Sequence, residues 1–187
     1  MEQEGLLKKI AAVLQKLDVP YVITGGIAVS VWGRIRFTAD IDIAIELLPQ
    51  KLDALADALL KIDKDVYVDR NMMSRALARK GEFNFIHPDS RLKVDFWVLG
   101  GGSFDREEIN RKIPRTIAGQ TIFFISPEDL IVRKLLWHKE SQSDRQLDDV
   151  TSILNRQKRL DVAYLRRWAK KHSISRLLEA LLKKSKR

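Results

Sequence analysis

The sequence contains no cysteine. That excludes disulfides, thiolate catalysis, and zinc or iron–sulfur sites built on cysteine. Its three histidines are scattered, at His87, His138 and His172, so a histidine-built metal centre is not expected. No run approaches the roughly 18 apolar residues of a membrane helix. Met1-Glu2-Gln3-Glu4 is acidic and carries no apolar signal segment, so the expectation is a cytoplasmic protein with no membrane partner. Internal repeats and low-complexity tracts are also missing. What is present is a globular composition, 45% apolar and 32% charged over 187 residues, rather than that of a disordered chain.

The charge is unevenly placed. Residues 1–100 hold 14 basic and 14 acidic side chains, whereas residues 101–187 hold 20 basic and 11 acidic, so the formal +9 sits entirely in the second part. Residues 156–187 alone hold 12 basic against 2 acidic. This suggests a polyanion partner, with a solubilising surface as the plainer alternative.

Hydrophobic periodicity organises the chain. Leu6, Ile10, Val13, Leu14 and Leu17 recur at helical spacing over 5–17. A β-rich run at 21–24 stops at Gly25-Gly26, and a short helix over 27–32 follows. Residues 40–46 alternate acid and apolar, as a strand does. A helix over 50–61, a strand at 66–68 and a basic helix over 71–80 come next. Residues 83–86 and 91–99 flank His87-Pro88-Asp89-Ser90 and predict a hairpin. Gly100-Gly101-Gly102-Ser103 reads as a flexible break before strands near 112–117 and 121–125. Ser126-Pro127-Glu128-Asp129 supplies an N-cap, a proline at the first helical position and an acidic first turn. Helices near 127–140, 144–155, 161–171 and 174–185 complete the chain. The layout predicts two parts, an α+β core over 1–125 and a basic helical bundle over 126–187.

Acid-x-acid triplets are common in a chain with 25 carboxylates, so Asp40-Ile41-Asp42 matters only through its setting. On a strand, Ile41, Ile43 and Ile45 face one way and Asp40, Asp42, Ala44 and Glu46 the other. The two aspartates lie about 7 Å apart along the chain and can converge on a hard cation. Asp95 interrupts an otherwise apolar strand, sharing a face with Lys93 and Trp97. If that strand neighbours 40–46, Asp40, Asp42 and Asp95 form an oxygen-rich site suited to one or two Mg²⁺ ions and to phosphoryl displacement. Otherwise Asp40 and Asp42 decorate a solvated face, and Asp95 pairs with Lys93 or Arg91. Trp97 either covers the sheet or stacks on a base. Gly25-Gly26 lets backbone N–H groups approach phosphate at a helix start, but it is neither a Walker A loop nor a dinucleotide fingerprint.

Gly25-Gly26, a 13-residue gap and Asp40-Ile41-Asp42, with Asp95 downstream, resemble the signature of the DNA polymerase beta-type nucleotidyltransferase superfamily. Arg36-Phe37-Thr38-Ala39-Asp40-Ile41-Asp42-Ile43 is similar to the AbiEii/AbiGii-type toxin nucleotidyltransferases. So are Ser126-Pro127-Glu128-Asp129-Leu130-Ile131 with Lys134, Arg145-Gln146-Leu147-Asp148-Asp149-Val150, and the helix holding Asp161, Tyr164, Leu165 and Trp168. The resemblance spans about residues 10–170. It departs at Leu147, where the family often has lysine, and in the smaller C-terminal region.

The resemblance implies a mixed-sheet nucleotidyltransferase core that moves a nucleoside monophosphate from an NTP to an acceptor hydroxyl on RNA, protein or a small molecule. Asp40, Asp42 and Asp95 would bind Mg²⁺ and serve catalysis. Gly25, Gly26, Ser30, Lys134 and Arg145 would hold the nucleotide, with Arg145 and Asp148 sharing a face near Lys134. A toxin role would bring an antitoxin partner. Arg166, Arg167, Lys170 and Lys171 oppose Leu165, Trp168 and Ala169 on one helix; this basic arc tilts the expected acceptor toward RNA or protein. Two rival readings use the same residues: a non-catalytic module binding nucleic acid or a partner, and a metal-dependent nuclease.

Overall fold

The computed structural model describes residues 2–185. Met1, Lys186 and Arg187, which fall in the expected core and basic bundle, lie outside the described residues. The order of elements is α1 (Gln3–Lys16), β1 (Tyr21–Ile23), α2 (Gly25–Trp32), β2 (Asp40–Ile45), α3 (Leu52–Leu60), β3 (Tyr67–Val68), α4 (Arg70–Arg79), β4 (Glu82–His87) and β5 (Leu92–Val98). It continues with α5 (Ser103–Asn110), β6 (Ile113–Ile117), β7 (Gln120–Phe124), α6 (Pro127–Ser141), α7 (Asp144–Arg156), α8 (Val162–Lys171) and α9 (Ser175–Ser185). This is the expected α+β class, a mixed sheet flanked by helices and followed by a C-terminal helical bundle.

The seven strands run in the order β3-β4-β5-β2-β1-β7-β6. β2 and β5 pair in parallel, as do β1 and β7; the remaining pairs are antiparallel. The register sets Ile41 beside Val94, Ile43 beside Phe96 and Ile45 beside Val98. All six are buried, and Phe96 stacks on Phe83 of β4 with centroids 4.8 Å apart. α1, α3 and α4 cover this apolar face. Strand alternation therefore turns Asp40, Asp42 and Asp95 onto the opposite face.

The predicted start of α6 is present in detail. Ser126 Oγ accepts from the Asp129 N–H at 3.1 Å, with Pro127 at the first helical position. In α8, Leu165, Trp168 and Ala169 are buried, so Trp168 is core.

The stretch after the triple glycine differs from expectation. It forms α5, although the sequence shows no apolar periodicity there. The buried side chains of α5 are Phe104 and Glu108, and Glu108 is held by Arg133 of α6 through Nε at 2.9 Å. A compensated charge occupies a place where the pattern needs an apolar residue. His87 also departs from a simple turn role. It ends β4 buried, with Nδ1 facing Ser90 Oγ at 2.9 Å and Nε2 facing Asp63 at 3.2 Å.

Candidate active site

Asp42 and Asp95 sit directly beside each other in the parallel β2–β5 pair, and Asp40 lies two residues earlier on the same face. The Gly-Gly turn is shaped around Asp42. Gly25 has φ +58°, and a Cβ there would lie 1.9 Å from Asp42 Oδ2; a Cβ on Gly26 would lie 2.5 Å from Thr38 Oγ1. Glycine is thus required twice, for the left-handed backbone and for close approach. α2 begins at Gly25 rather than at Ile27, so the glycines form its first turn and their N–H groups are free of intrahelical bonds.

These residues open on a cavity of about 460 Å³. Six of the eight residues expected to act together border it: Gly25, Gly26, Asp40, Asp42, Lys134 and Arg145. Arg36, Thr38, Trp97, Trp137 and Gln146 border it as well. Asp95 is adjacent to the cavity's acids but is turned into the protein. One oxygen pairs with Lys93 at 3.0 Å, and Asn84 donates to the other. Ser30 is placed differently from expectation, because its hydroxyl is used locally, donating to Gly26 O at 3.2 Å and Arg36 O at 3.3 Å. It fastens α2 to the loop before β2.

Sequence reasoning overlooked Arg36 and Asp149. Asp149 is fully buried and accepts a two-pronged bond from Arg36, Nε to Oδ1 at 3.0 Å and Nη2 to Oδ2 at 2.9 Å. Lys134 Nζ lies 3.0 Å from the same Oδ2. Asp148, the expected neighbour of Lys134, instead points outward to Arg34 at 3.8 Å. One signal existed for this correction: Asp149 precedes Ile153 by one helical turn and so falls on the apolar face of α7, where an acid needs a partner.

The electrostatics divide the cavity. Burial pushes the Asp42 carboxyl up, and the charge of Asp95 adds to that push, against weaker pulls from the Trp97 indole, the Gly26 N–H and Lys134. Burial also pushes the Lys134 ammonium down, opposed by Asp149. For Asp149, Arg36 and Lys134 outweigh burial and hold the carboxyl below its ordinary range. One side of the cavity is thus short of positive charge and the other is internally neutralised.

No group of three or more acidic or histidine side chains is arranged as a metal centre among the described residues. Three carboxylates border the cavity, Asp40, Asp42 and Glu140; Asp40 and Asp42 share one strand face and suit a hard cation. Asp42, buried beside the Asp95 charge, fits such a cation, since added positive charge would offset both burial and that repulsion.

Residues 4–179 match the model of a family described as "Nucleotidyl transferase of unknown function (DUF2204)". No curated protein matches the chain. Solved structures share its fold. ANT(2'')-Ia, in complex with adenylyl-2''-tobramycin, is 16% identical, with a TM-score of 0.57 over 91% of this chain and 97% of that one. An antigenic nucleotidyltransferase-like protein from Paracoccidioides brasiliensis is 21% identical, with a TM-score of 0.54 over 98% and 94%. The lincosamide antibiotic adenylyltransferase LnuA, bound to lincomycin, is 17% identical, with a TM-score of 0.53 over 82% and 96%.

Proposed function

The chain belongs to this nucleotidyl transferase family, and from that premise we propose that it moves a nucleoside monophosphate from an NTP to an acceptor hydroxyl in a Mg²⁺-dependent reaction. The observation that carries the reading is the packing of Asp42 into the Gly25-Gly26 turn, with Asp40 beside it and Lys134 across the cavity. An acid paired with a phosphate-binding turn needs both a cation and an anion to fill the space, and a metal-bound triphosphate supplies both.

The roles follow from position. The N–H groups at the start of α2 receive phosphate oxygens, helped by the helix dipole. Lys134 and Arg145 meet the remaining phosphate charge, and Arg36 borders the same space. Asp149 holds Lys134 and Arg36 in place, so little reorganisation is needed when the nucleotide enters. Asp40 and Asp42 would hold Mg²⁺, which neutralises phosphate charge and polarises the P–O bonds. Asp95 completes the acidic face on the acceptor side. The acceptor oxygen attacks the α-phosphorus in line and pyrophosphate departs, with catalysis resting on positioning and charge.

The same proposal treats 1–125 and 126–187 as cooperating units. Strands of the first bring the acids; α6 and α7 of the second bring Lys134, Arg145 and Asp149. ATP is the first nucleotide to test, because ANT(2'')-Ia is in complex with adenylyl-2''-tobramycin and LnuA is named an adenylyltransferase. An RNA acceptor is supported by the basic residues of α8 and α9, although Arg166 bonds Glu179 at 2.7 Å and Lys171 donates to Ser103 Oγ at 2.5 Å. A toxin role with an antitoxin partner is supported by the sequence resemblance alone.

The test is incubation with α-labelled NTPs, Mg²⁺ and separate RNA, protein and small-molecule pools, repeated with Asp42→Asn. Label moving to one pool, and lost in the variant, is the expected result. RNA degraded without any NTP would make the protein a nuclease. Nucleic acid bound with no NTP consumed by any pool would make it a binding module.

A further inference from the structure

A second cavity, of about 280 Å³, adjoins the first. Trp97 and Trp137 border both, with ring centroids 6.0 Å apart and planes at 45°, so the two spaces share a wall of indole. The sheet makes them continuous. Asp42, which lines the first, lies beside Asp95, and two residues along the same face Ala44 lies beside Trp97 in the second.

The second cavity has an unmet hydrogen bond at its edge. Thr24 borders it, and its backbone N–H donates to Asp42 O at 2.9 Å. Its hydroxyl is buried without a partner and makes no capping bond to α2, although threonine at that position commonly does so. A buried hydroxyl left unpaired is costly, and a ligand group can satisfy it.

Apart from Lys80 at the exposed rim, the charges of this cavity are already answered within the protein. Arg133 donates to Glu108 and, at 3.1 Å, to Asp105 Oδ1; the Gly102 N–H donates to Asp105 Oδ2 at 3.1 Å. The acids are therefore not waiting for a cationic ligand. What remains is an aromatic and apolar surface with a few hydrogen-bonding groups, the usual make-up of a site for a small polar ring. At this volume the space suits one such ring better than a polymer strand.

We propose that this second cavity is the acceptor pocket and that its acceptor is a small uncharged hydroxyl compound of the sugar or cyclitol class, stacked on the indoles. This rests on the nucleotidyl-transfer reading of the first cavity. In the step, an acceptor hydroxyl oxygen forms a bond to the α-phosphorus. The bond from that phosphorus to the α–β bridging oxygen breaks, and pyrophosphate leaves with the electron pair. The hydroxyl proton passes to a carboxylate oxygen of Asp42, which lines the first cavity.

The experiment uses α-labelled NTPs with Mg²⁺, a panel of methyl glucoside, methyl galactoside and myo-inositol, a metabolite extract below 1 kDa, and total RNA and protein pools. Two variants accompany the wild type. Gly100→Phe fills the pocket from its rim, where a Cβ would lie 3.2 Å from its nearest neighbour, Asp105 Oδ2. Thr24→Val removes only the unpaired hydroxyl and keeps the shape.

The expected result is label in the small-molecule arm, reduced at least tenfold by Gly100→Phe and about fivefold by Thr24→Val, with NTP affinity held within twofold in both. Label found on RNA or protein, absent from the small-molecule arm despite NTP binding, or unaffected by both variants, would overturn the pocket assignment alone. A wild-type protein that neither binds nor consumes any NTP would overturn the transferase reading beneath it.

Discussion

Asp42 lines the first cavity and Asp149 lies buried behind Arg36 and Lys134, which line it too; the two are chemically the same residue, yet their surroundings push them in opposite directions. Asp42 stands beside another carboxylate on a strand, and burial together with Asp95 raises its proton affinity. Asp149 stands on a helix between two cations, which hold its carboxyl low. The difference separates two kinds of buried charge. Asp149 is completed by the fold and serves to hold Arg36 and Lys134; Asp42 is left incomplete, and the missing charge must come from what binds.

The contrast can be broken most forcefully at Asp149. Asp149→Asn leaves Arg36 and Lys134 without their shared counter-charge, and breaking such a buried pair costs about 3–5 kcal/mol. Chemical denaturation should show that loss. Asp42→Asn should do the opposite. Transfer activity falls by about 10²–10³-fold, the scale of losing a key electrostatic group, while the denaturation midpoint stays level or rises because repulsion with Asp95 is relieved. Equal destabilisation by the two variants would erase the distinction.

Glu108 sharpens it on a third carboxyl. It is buried, and desolvation raises its carboxyl to about 7 despite Arg133, with Asp129 and Asp105 adding to the rise. The folded protein therefore binds this proton more tightly than the unfolded chain does. Its contribution to stability is full below the ordinary value of 4.5 and is lost as pH rises through about 7. The size is on the order of 3 kcal/mol. Melting temperatures from pH 5 to 8 should fall with rising pH in the wild type and flatten in Glu108→Gln.

The smallest effect is expected at Ser30, whose hydroxyl bonds only local backbone groups, the Gly26 and Arg36 carbonyls and the Arg36 N–H. Ser30→Ala should cost about 1 kcal/mol or less in stability and change the KM for NTP by less than about twofold. A tenfold rise in that KM would return Ser30 to the phosphate site.

Much of the fold was legible from pattern. The alternation in 40–46 assigned Ile41, Ile43 and Ile45 to the core and both aspartates to the other face, and the structure shows that division. Ser126-Pro127 marked the start of α6 because capping is a local transaction between neighbouring residues. α5 escaped because Glu108 replaces an apolar residue on its buried face, and the compensating Arg133 lies on α6, 25 positions away. Lys134 and Arg145 were drawn to the site by resemblance, and Asp148 was set on a face with Arg145 near Lys134, whereas it is Asp149 that meets Lys134. Adjacent residues on a helix differ by about 100°, and only the packing of α7 decides which one turns inward.

The amino-acid sequence by itself determined the elements other than α5, the separation of acidic and apolar strand faces, and the Gly-Gly turn, all of which depend on periodicity or on bonds within a few residues. Tertiary structure alone decided that β2 and β5 run side by side, that Lys93 and Asn84 occupy Asp95, that Arg36 and Lys134 share Asp149, and that a second cavity lies beyond Trp97. Each of those depends on contacts between distant segments, and a charge's role follows from the partners that packing brings within a few ångströms of it.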